Sequence, residues 1–297
     1  MRFNKLDMNL LAVLNTLLKT RNVSRAAEEM FITQSAMSNA LGRLRTFFDD
    51  PLLVPLGRRM ELTPLANSLE EPLRDIMTRV ESAMLMRPHF DPATEDRTFT
   101  IVISDYSMAV IGPQLVRRVA ALAPNIRLNL WAQHTNPTQL LDRGEVDVLI
   151  VPEVLGAAHH ASEILFVDDL VVLVADDGPY AGTQITLEQF STAPHVMTEP
   201  LIGQQSFASV AMQDAGIEPK YTLSTYSFSA IPDFVRGTGQ IALIQRRLAD
   251  LAVRKGGLQI LPPPLAFPPL RQSIRWHEHR SLDPGLVWLR QQLMACA

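Results

Sequence analysis

Val23–Phe48, VSRAAEEMFITQSAMSNALGRLRTFF, is the stretch whose reading decides the fold. Met37, Leu41, Leu44 and Phe48 recur at steps of four, three and four, which is one apolar face of a helix. Gln34, Ser35, Ser38, Asn39 and Arg43 fall away from that face. Their amide, hydroxyl and guanidinium groups are the kinds that reach base edges and phosphates in a DNA major groove. Thr33 is placed to cap this helix. Upstream, Ser24 is the expected cap of a shorter helix whose Ala26, Ala27 and Met30 form a small packing face. Small alanines let two helices cross closely, as a helix-turn-helix requires. The same pattern also fits an amphipathic pair with a solvated polar face, so the flanking sequence has to decide.

On the N-terminal side, Leu10, Leu11, Leu14, Leu17 and Leu18 make a core stripe on a helix from about Met8 to Thr20. On the C-terminal side, Asp49-Asp50-Pro51 ends the second helix, since the residue before proline is driven out of the helical region. Two short extended pieces follow, Leu52–Val54 and Met60–Leu62, flanking Leu56-Gly57-Arg58-Arg59. That is a hairpin with a basic tip, a wing on which Arg58 or Arg59 can meet phosphate or the minor groove. Thr63-Pro64 pairs an N-cap with an N1 proline and starts a long helix. Leu69, Leu73, Ile76, Val80 and Ala83 then repeat at heptad spacing, a narrow seam that needs a partner, most simply a second copy of the chain. Pro72 inside this helix is expected to kink or divide it. Arg87-Pro88-His89-Phe90-Asp91-Pro92 ends it as a linker.

Beyond the linker, strands and helices alternate: 99–103, 108–122, 126–131, 137–143 and 146–151 read as βαβαβ, which implies a parallel sheet with helices on both sides. A second unit follows, with strands at 168–175, 195–197, 221–224 and 241–244 and helices at 187–190, 206–215 and 230–236. The proline-rich 261–270 reads as a connection back to the first unit, 273–276 as a returning strand and 284–294 as a last helix. Two α/β units joined by two crossings predict a cleft between them, and ligands of open sheets bind beyond the carboxyl ends of the strands.

The chain has 297 residues, 47% hydrophobic and 20% charged, which fits a globular protein of more than one domain. Residues 1–90 hold 12 Lys and Arg against 10 Asp and Glu, and the remainder holds 15 against 21. A mildly basic head on an acidic body suits a DNA binder that gains affinity by dimerising. One cysteine, Cys296, excludes an intrachain disulfide and fits a reducing compartment. No segment reads as a membrane span or signal peptide, so a cytoplasmic location is expected.

Four features give the chain a family resemblance. LDMNLLAVLNTLLKTRNVSRAAEEMFITQSAMSNALGRLRTFFDDPLLV looks very like the winged helix-turn-helix of LysR-type transcriptional regulators. Thr63-Pro64 matches the start of their linker helix. Leu141-Asp142-Arg143-Gly144-Glu145-Val146-Asp147-Val148 and Gly237-Thr238-Gly239-Gln240-Ile241-Ala242-Leu243-Ile244 resemble two effector-domain segments. Within the family, MRFNKLDMNLL, GRLRTFFDDPL and RGEVDVLIVPE look most like the rhizobial nodulation regulators and the salicylate-responsive regulators, which answer to flavonoids or small aromatic acids. Departures are Gln245, where proline is common, and Ser35, where many members have proline.

The resemblance implies an α/β multidomain architecture: a winged helix-turn-helix at 1–63, a linker and dimerisation helix at 64–90, and a periplasmic-binding-protein-like effector domain at 91–297. Within the last, subdomain I is expected at about 95–166 and 271–297 and subdomain II at about 167–270. It also implies homodimers or homotetramers on promoter DNA, with RNA polymerase a candidate partner. Gln34, Ser35, Ser38 and Asn39 then carry the base-reading positions, Arg43 a base or phosphate contact, and Ser24 a phosphate contact or a plain cap. Leu69, Leu73, Ile76 and Val80 carry dimerisation.

Candidate effector contacts follow the strand ends: Ser104, Asp105, Tyr106, Trp131, Gln133, Thr198, Tyr226, Ser227 and Phe228, with Arg246 the nearest candidate for a carboxylate. They suit a small aromatic or polar ligand. His277 and His279 alternate around Glu278, which alone is thin evidence for a metal, and His159-His160 reads as a solvated loop. No nucleophile-elbow spacing, phosphate loop or acid–base constellation points to an enzyme, so neither catalytic residues nor cofactor are assigned. The competing reading is a cytoplasmic solute-binding protein without a gene-regulatory role.

Overall fold

Asp7 opens the first helix by accepting the Asn9 N–H at 2.9 Å, and Arg21 closes it in the left-handed conformation at φ 50°. Between them runs α1 (Met8–Thr20). The computed structural model describes residues 7–56, 59–85, 90–133, 136–155, 159–182, 184–200 and 205–297. Their contacts divide the chain into two compact units, Met1–Met86 and Arg87–Ala297.

In the first unit, α2 (Val23–Glu29) and α3 (Gln34–Phe48) follow α1. Asn22, not Ser24, caps α2: its side chain accepts the Arg25 N–H at 3.0 Å, and Ser24 lies exposed in the first turn. Both residues are good caps, but Asn22 holds the extended backbone that a cap needs. Thr33 caps α3 as expected, accepting the Ala36 N–H at 3.2 Å. Between the helices Phe31 takes φ 54°, a left-handed turn normally left to glycine, and points its ring into solvent. Leu14, Leu17, Ala26, Met37 and Leu44 are buried together with Leu52, Leu53, Leu62, Ala66 and Leu73 as a single core.

The wing strands are β1 (Leu53–Leu56) and β2 (Arg59–Leu62), antiparallel with Leu56 opposite Arg59. Leu52 is not extended, since its φ is 59°, and Leu56 and Arg59 belong to the strands rather than to the tip. Asp50 ties this region down: its carboxylate accepts from the Leu52 N–H at 2.6 Å and from the Thr63 hydroxyl at 2.7 Å. Arg45 of α3 donates to the carbonyls of Pro51 at 2.8 Å and Leu53 at 3.0 Å. Gly57 and Arg58 lie outside the described residues.

Thr63 accepts the Ala66 N–H at 3.1 Å and starts α4 (Pro64–Leu85), which continues through Pro72 undivided. The heptad seam splits between two surroundings. Leu73 is buried and Leu69 packs against the same core, whereas Ile76 is exposed and Val80 half-buried. The Ala83 side chain lies outside what the structure describes.

The second unit begins with β3 (Thr98–Ile103), α5 (Asp105–Leu122), β4 (Arg127–Trp131), α6 (Pro137–Asp142) and β5 (Val148–Pro152). β6 (Ala161–Asp168) and β7 (Leu170–Ala175) come next, where the sequence pattern predicts one strand over 168–175. The chain then passes through α7 (Leu187–Thr192), β8 (His195–Thr198), α8 (Phe207–Asp214), β9 (Tyr221–Thr225), α9 (Ile231–Val235) and β10 (Ile241–Gln245). α10 (Arg246–Val253) and β11 (Leu258–Leu261) have no counterpart in the sequence pattern; β12 (Leu270–Trp276) and α11 (Pro284–Met294) complete the unit.

Two five-stranded sheets result, in the orders β4-β3-β5-β12-β6 and β11-β7-β10-β8-β9. Neither is wholly parallel. β12 runs antiparallel to β5 and β6, and β7 antiparallel to β10 and β11, because the chain crosses between sheets from β6 to β7 and returns from β11 to β12. Each sheet with its helices forms one lobe. Gly144, at φ 65° after α6, provides the left-handed turn that brings Asp147 to the start of β5. There one Asp147 oxygen accepts the Thr100 N–H at 2.7 Å and the other accepts from Arg280 at 2.7 Å.

Candidate functional site

The exposed side of α3 carries Gln34, Ser35, Ser38, Asn39 and Arg43, opposite the buried Met37, Leu41 and Leu44. One helix face therefore offers amides, hydroxyls and a guanidinium with no apolar side chain among them. The Ser35 hydroxyl pairs with the Thr33 hydroxyl at 3.0 Å, which ties it to the helix start. Arg59 is exposed on the wing.

In the second unit a cavity of about 380 Å³ lies between the two lobes. Ser104, Tyr106, Gln133, Pro137, Val151, Pro152 and Leu155 line it from the first lobe, at the carboxyl ends of β3, β4 and β5. Pro200, Gln205, Ser206, Phe207, Val210, Phe228 and Gln245 line it from the second, and Leu270 and Gln272 of the returning strand complete it. None of these lining residues is Asp, Glu, Lys or Arg. Gln245 and Gln272 are buried, and each amide oxygen lacks a hydrogen-bond partner among the described residues. The Gln272 amide nitrogen donates to the Ser107 hydroxyl at 3.0 Å.

Of the ten candidate effector contacts, Ser104, Tyr106, Gln133 and Phe228 line this cavity. Trp131 and Tyr226 are exposed outside its lining, at 44% and 80%. Thr198 is buried but does not line it, and Arg246 is exposed at the start of α10. Asp105 and Ser227 meet one another instead. The Asp105 carboxylate accepts from the Ser227 hydroxyl at 2.7 Å, the Ser229 hydroxyl at 2.8 Å and the N–H groups of Phe228 and Ser229 at 3.2 and 3.0 Å. Asp105 belongs to the first lobe and the 227–229 loop to the second, so these bonds latch the lobes beside the cavity. Asp105→Ala is expected to cost about 1–2 kcal/mol and to speed hydrogen exchange at Phe228 and Ser229. Unchanged exchange there would show that these bonds do not hold the lobes together.

A second link sits at the lobe crossing. The Tyr106 hydroxyl donates to Asp168 at 2.5 Å, and Asp168 also accepts the Arg247 N–H at 3.2 Å. Burial pushes Asp168 above the ordinary carboxylate range, against the hydrogen bond from Tyr106 that lowers it. Burial, and then the nearby Asp168 charge, push Tyr106 far upward, so the phenol stays protonated and remains a donor. Cys296 is buried, and burial raises its thiol as well.

A recognition helix with a polar exposed face, carried on the same chain as a two-lobed unit around a cavity, defines a ligand-responsive DNA-binding regulator. Residues 8–67 match the model of the bacterial regulatory helix-turn-helix protein, lysR family, and residues 92–296 match the LysR substrate binding domain. The chain belongs to the LysR family of transcriptional regulators. It is 34% identical to nodulation protein D 2 of Rhizobium leguminosarum bv. phaseoli over 99% of this chain and 93% of the relative. It is 32% identical to nodulation protein D of Bradyrhizobium sp. (strain ANU 289), over 99% of this chain and 87% of the relative. Among solved structures, a probable transcriptional regulator of Pseudomonas aeruginosa aligns with TM-score 0.66 at 26% identity, covering 98% of this chain and 97% of that one. Full-length CbnR complexed with its target DNA shares the fold, with TM-score 0.57 at 16% identity, over 98% of this chain and 100% of that one. Among the described residues, no helix is long and apolar enough to cross a membrane.

Proposed function

We propose that this regulator answers to a small, uncharged aromatic compound bearing hydroxyl groups, held in the inter-lobe cavity. The carrying observation is the lining: aromatic and aliphatic walls from Tyr106, Phe207, Phe228, Leu155, Val210 and Leu270, no charged side chain, and two buried amide oxygens in need of donors. A cavity of about 380 Å³ suits a compound of that size. A buried acceptor without a partner costs about 1–3 kcal/mol, which a ligand hydroxyl would recover. Ser104, Tyr106, Gln133 and Phe228 join Gln245 and Gln272 as the contacts. Asp105 and Ser227 act through the latch, and Trp131, Thr198, Tyr226 and Arg246 contribute no direct contact.

The test is a thermal-shift screen of hydroxylated and carboxylated aromatic compounds against wild type and Gln245→Met. Hydroxylated neutral compounds should raise the wild-type Tm. In Gln245→Met the shift should shrink, with affinity lower by roughly tenfold, while the ligand-free protein gains stability. A response confined to carboxylates, or an equal shift in both proteins, would reject this reading.

On the DNA side, Gln34, Ser35, Ser38 and Asn39 are proposed to read bases, with Arg43, Arg58, Arg59 and Ser24 on the phosphates. The exposed side of α3 that Gln34, Ser35, Ser38, Asn39 and Arg43 share supports this, as does the likeness in fold to full-length CbnR, which was solved in complex with its target DNA. The domain limits carried into this reading are 1–63 for the DNA-binding domain, 64–90 for the dimerisation helix and 91–297 for the effector domain. Dimerisation is assigned to the exposed flank of α4 around Leu65, Ile76 and Val80, because Leu69 and Leu73 already face their own unit's core. Assembly into homotetramers, contact with RNA polymerase, a cytoplasmic location and the absence of a catalytic role complete the proposal. Deleting residues 1–90 should abolish promoter binding and leave ligand binding intact.

A further inference from the structure

The pairing register of β12 with β6 has an effect beyond the sheet. Trp276 stands opposite Ala161, so the residues just beyond that pair, His277 and His160, come next to each other. Their ring centroids are 6.3 Å apart. The His159 ring lies tilted against that of His160, centroids 4.2 Å apart, and His279 lies 5.0 Å from His277. Two histidine pairs that are far apart in sequence thus share one end of the first lobe's sheet. Asp142, the last residue of α6, reaches the same place. One of its oxygens contacts His160 Nε2 at 2.6 Å and His159 Nε2 at 3.1 Å. His160, read from sequence as part of a solvated loop, is buried, and its Nδ1 has no hydrogen-bond partner among the described residues.

We propose that Asp142, His159 and His160 form a binding site for a divalent transition metal of the zinc and cobalt class. Two imidazoles and a carboxylate are the borderline nitrogen and oxygen donors that such ions take. Tetrahedral coordination at about 2.0–2.1 Å sets neighbouring ligand atoms about 3.3 Å apart. The three donor atoms already lie within 4.8 Å of one another, so small side-chain rotations suffice. His277 and His279 bring two further imidazoles alongside.

The site is separate from the effector cavity. The cavity lies at the carboxyl ends of β3 and β5, whereas β12 ends and β6 begins at the opposite end of the strands, beside the start of β5. α6 touches both, with Pro137 on the cavity and Asp142 at the metal ligands.

The experiment is calorimetric titration of Zn²⁺ into chelator-treated, full-length protein without a histidine tag, paired with Co²⁺ absorption spectroscopy. One equivalent of Zn²⁺ should bind, and Co²⁺ should give the visible bands of a four-coordinate site. His159→Gln and Asp142→Asn should each weaken Zn²⁺ binding by at least about tenfold. The His159 side chain is 65% exposed, so its replacement tests the site without threatening the fold. No stoichiometric uptake, or uptake unchanged in both variants, overturns the proposal and leaves Asp142 as a hydrogen-bonding anchor for the two rings.

Discussion

Asp283→Ala is expected to destabilise the sensor unit by about 3–5 kcal/mol, the range for breaking a buried ion network by removing one partner. The Asp283 side chain is 1% exposed. It accepts from Arg97 through two nitrogens at 2.8 and 2.6 Å and from Arg280 at 3.1 Å. It also caps α11, accepting the N–H groups of Gly285 and Leu286 at 3.0 and 3.3 Å. Without it, two guanidinium groups crowd around Asp147 alone, and the helix loses its N-terminal acceptor. Urea unfolding of the variant measures the loss, and a deficit under about 1 kcal/mol would show that the network is dispensable.

The same residue predicts an acid limb. Burial would raise the Asp283 carboxyl, but hydrogen bonds and charge from Arg97, then Arg280, bring it down from the ordinary 3.8 to about 2. A depressed folded-state value gives stability that is present above the unfolded value and lost as pH falls. The contribution, about 2 kcal/mol, is therefore complete above pH ~4 and disappears between pH ~4 and ~2. Asp283→Asn should flatten the stability profile in that window.

Asn39→Ala is expected to weaken operator binding by about 1–3 kcal/mol and to relax preference at one base pair. Asn39 is exposed on α3 in line with Gln34, Ser35 and Ser38. An amide there can pair with adenine N6 and N7, and alanine keeps the helix while removing both bonds. Arg43→Ala should instead weaken binding evenly across sequences and lower the salt dependence, as loss of a phosphate contact does. Mobility-shift titrations at fixed salt on a mapped operator and its single-base variants separate these outcomes. Equal operator affinity for Asn39→Ala and wild type would strike Asn39 from the reading face.

The first unit was legible in the sequence because its determinants are local. Thr33 and Thr63 are caps beside helices, and the stripe Met37, Leu41, Leu44 is set by helical period alone. The span of α11 could be read for the same reason, with Asp283-Pro284 at its start. β6 escaped because ASEILFVD has no strict alternation, and its partner β12 lies far along the chain. α10 escaped because it follows β10 with no intervening turn residue.

The cavity was half legible. Residues just after parallel strands, such as Ser104 and Gln133, could be picked by rule. Gln245 and Gln272 sit inside strands, where nothing nearby separates a lining glutamine from a solvated one. The two histidine pairs were each visible, but only the β6–β12 register makes them neighbours.

That register also sets the order in which a nascent chain can take shape. The first lobe's sheet needs β12 to fill the place between β5 and β6, so it cannot be finished until residue 276 has left the ribosome. The DNA-reading unit ends by Met86 and draws its core from that segment alone. Since domains fold as units during synthesis, every new molecule has the means to hold DNA before it has the means to sense anything.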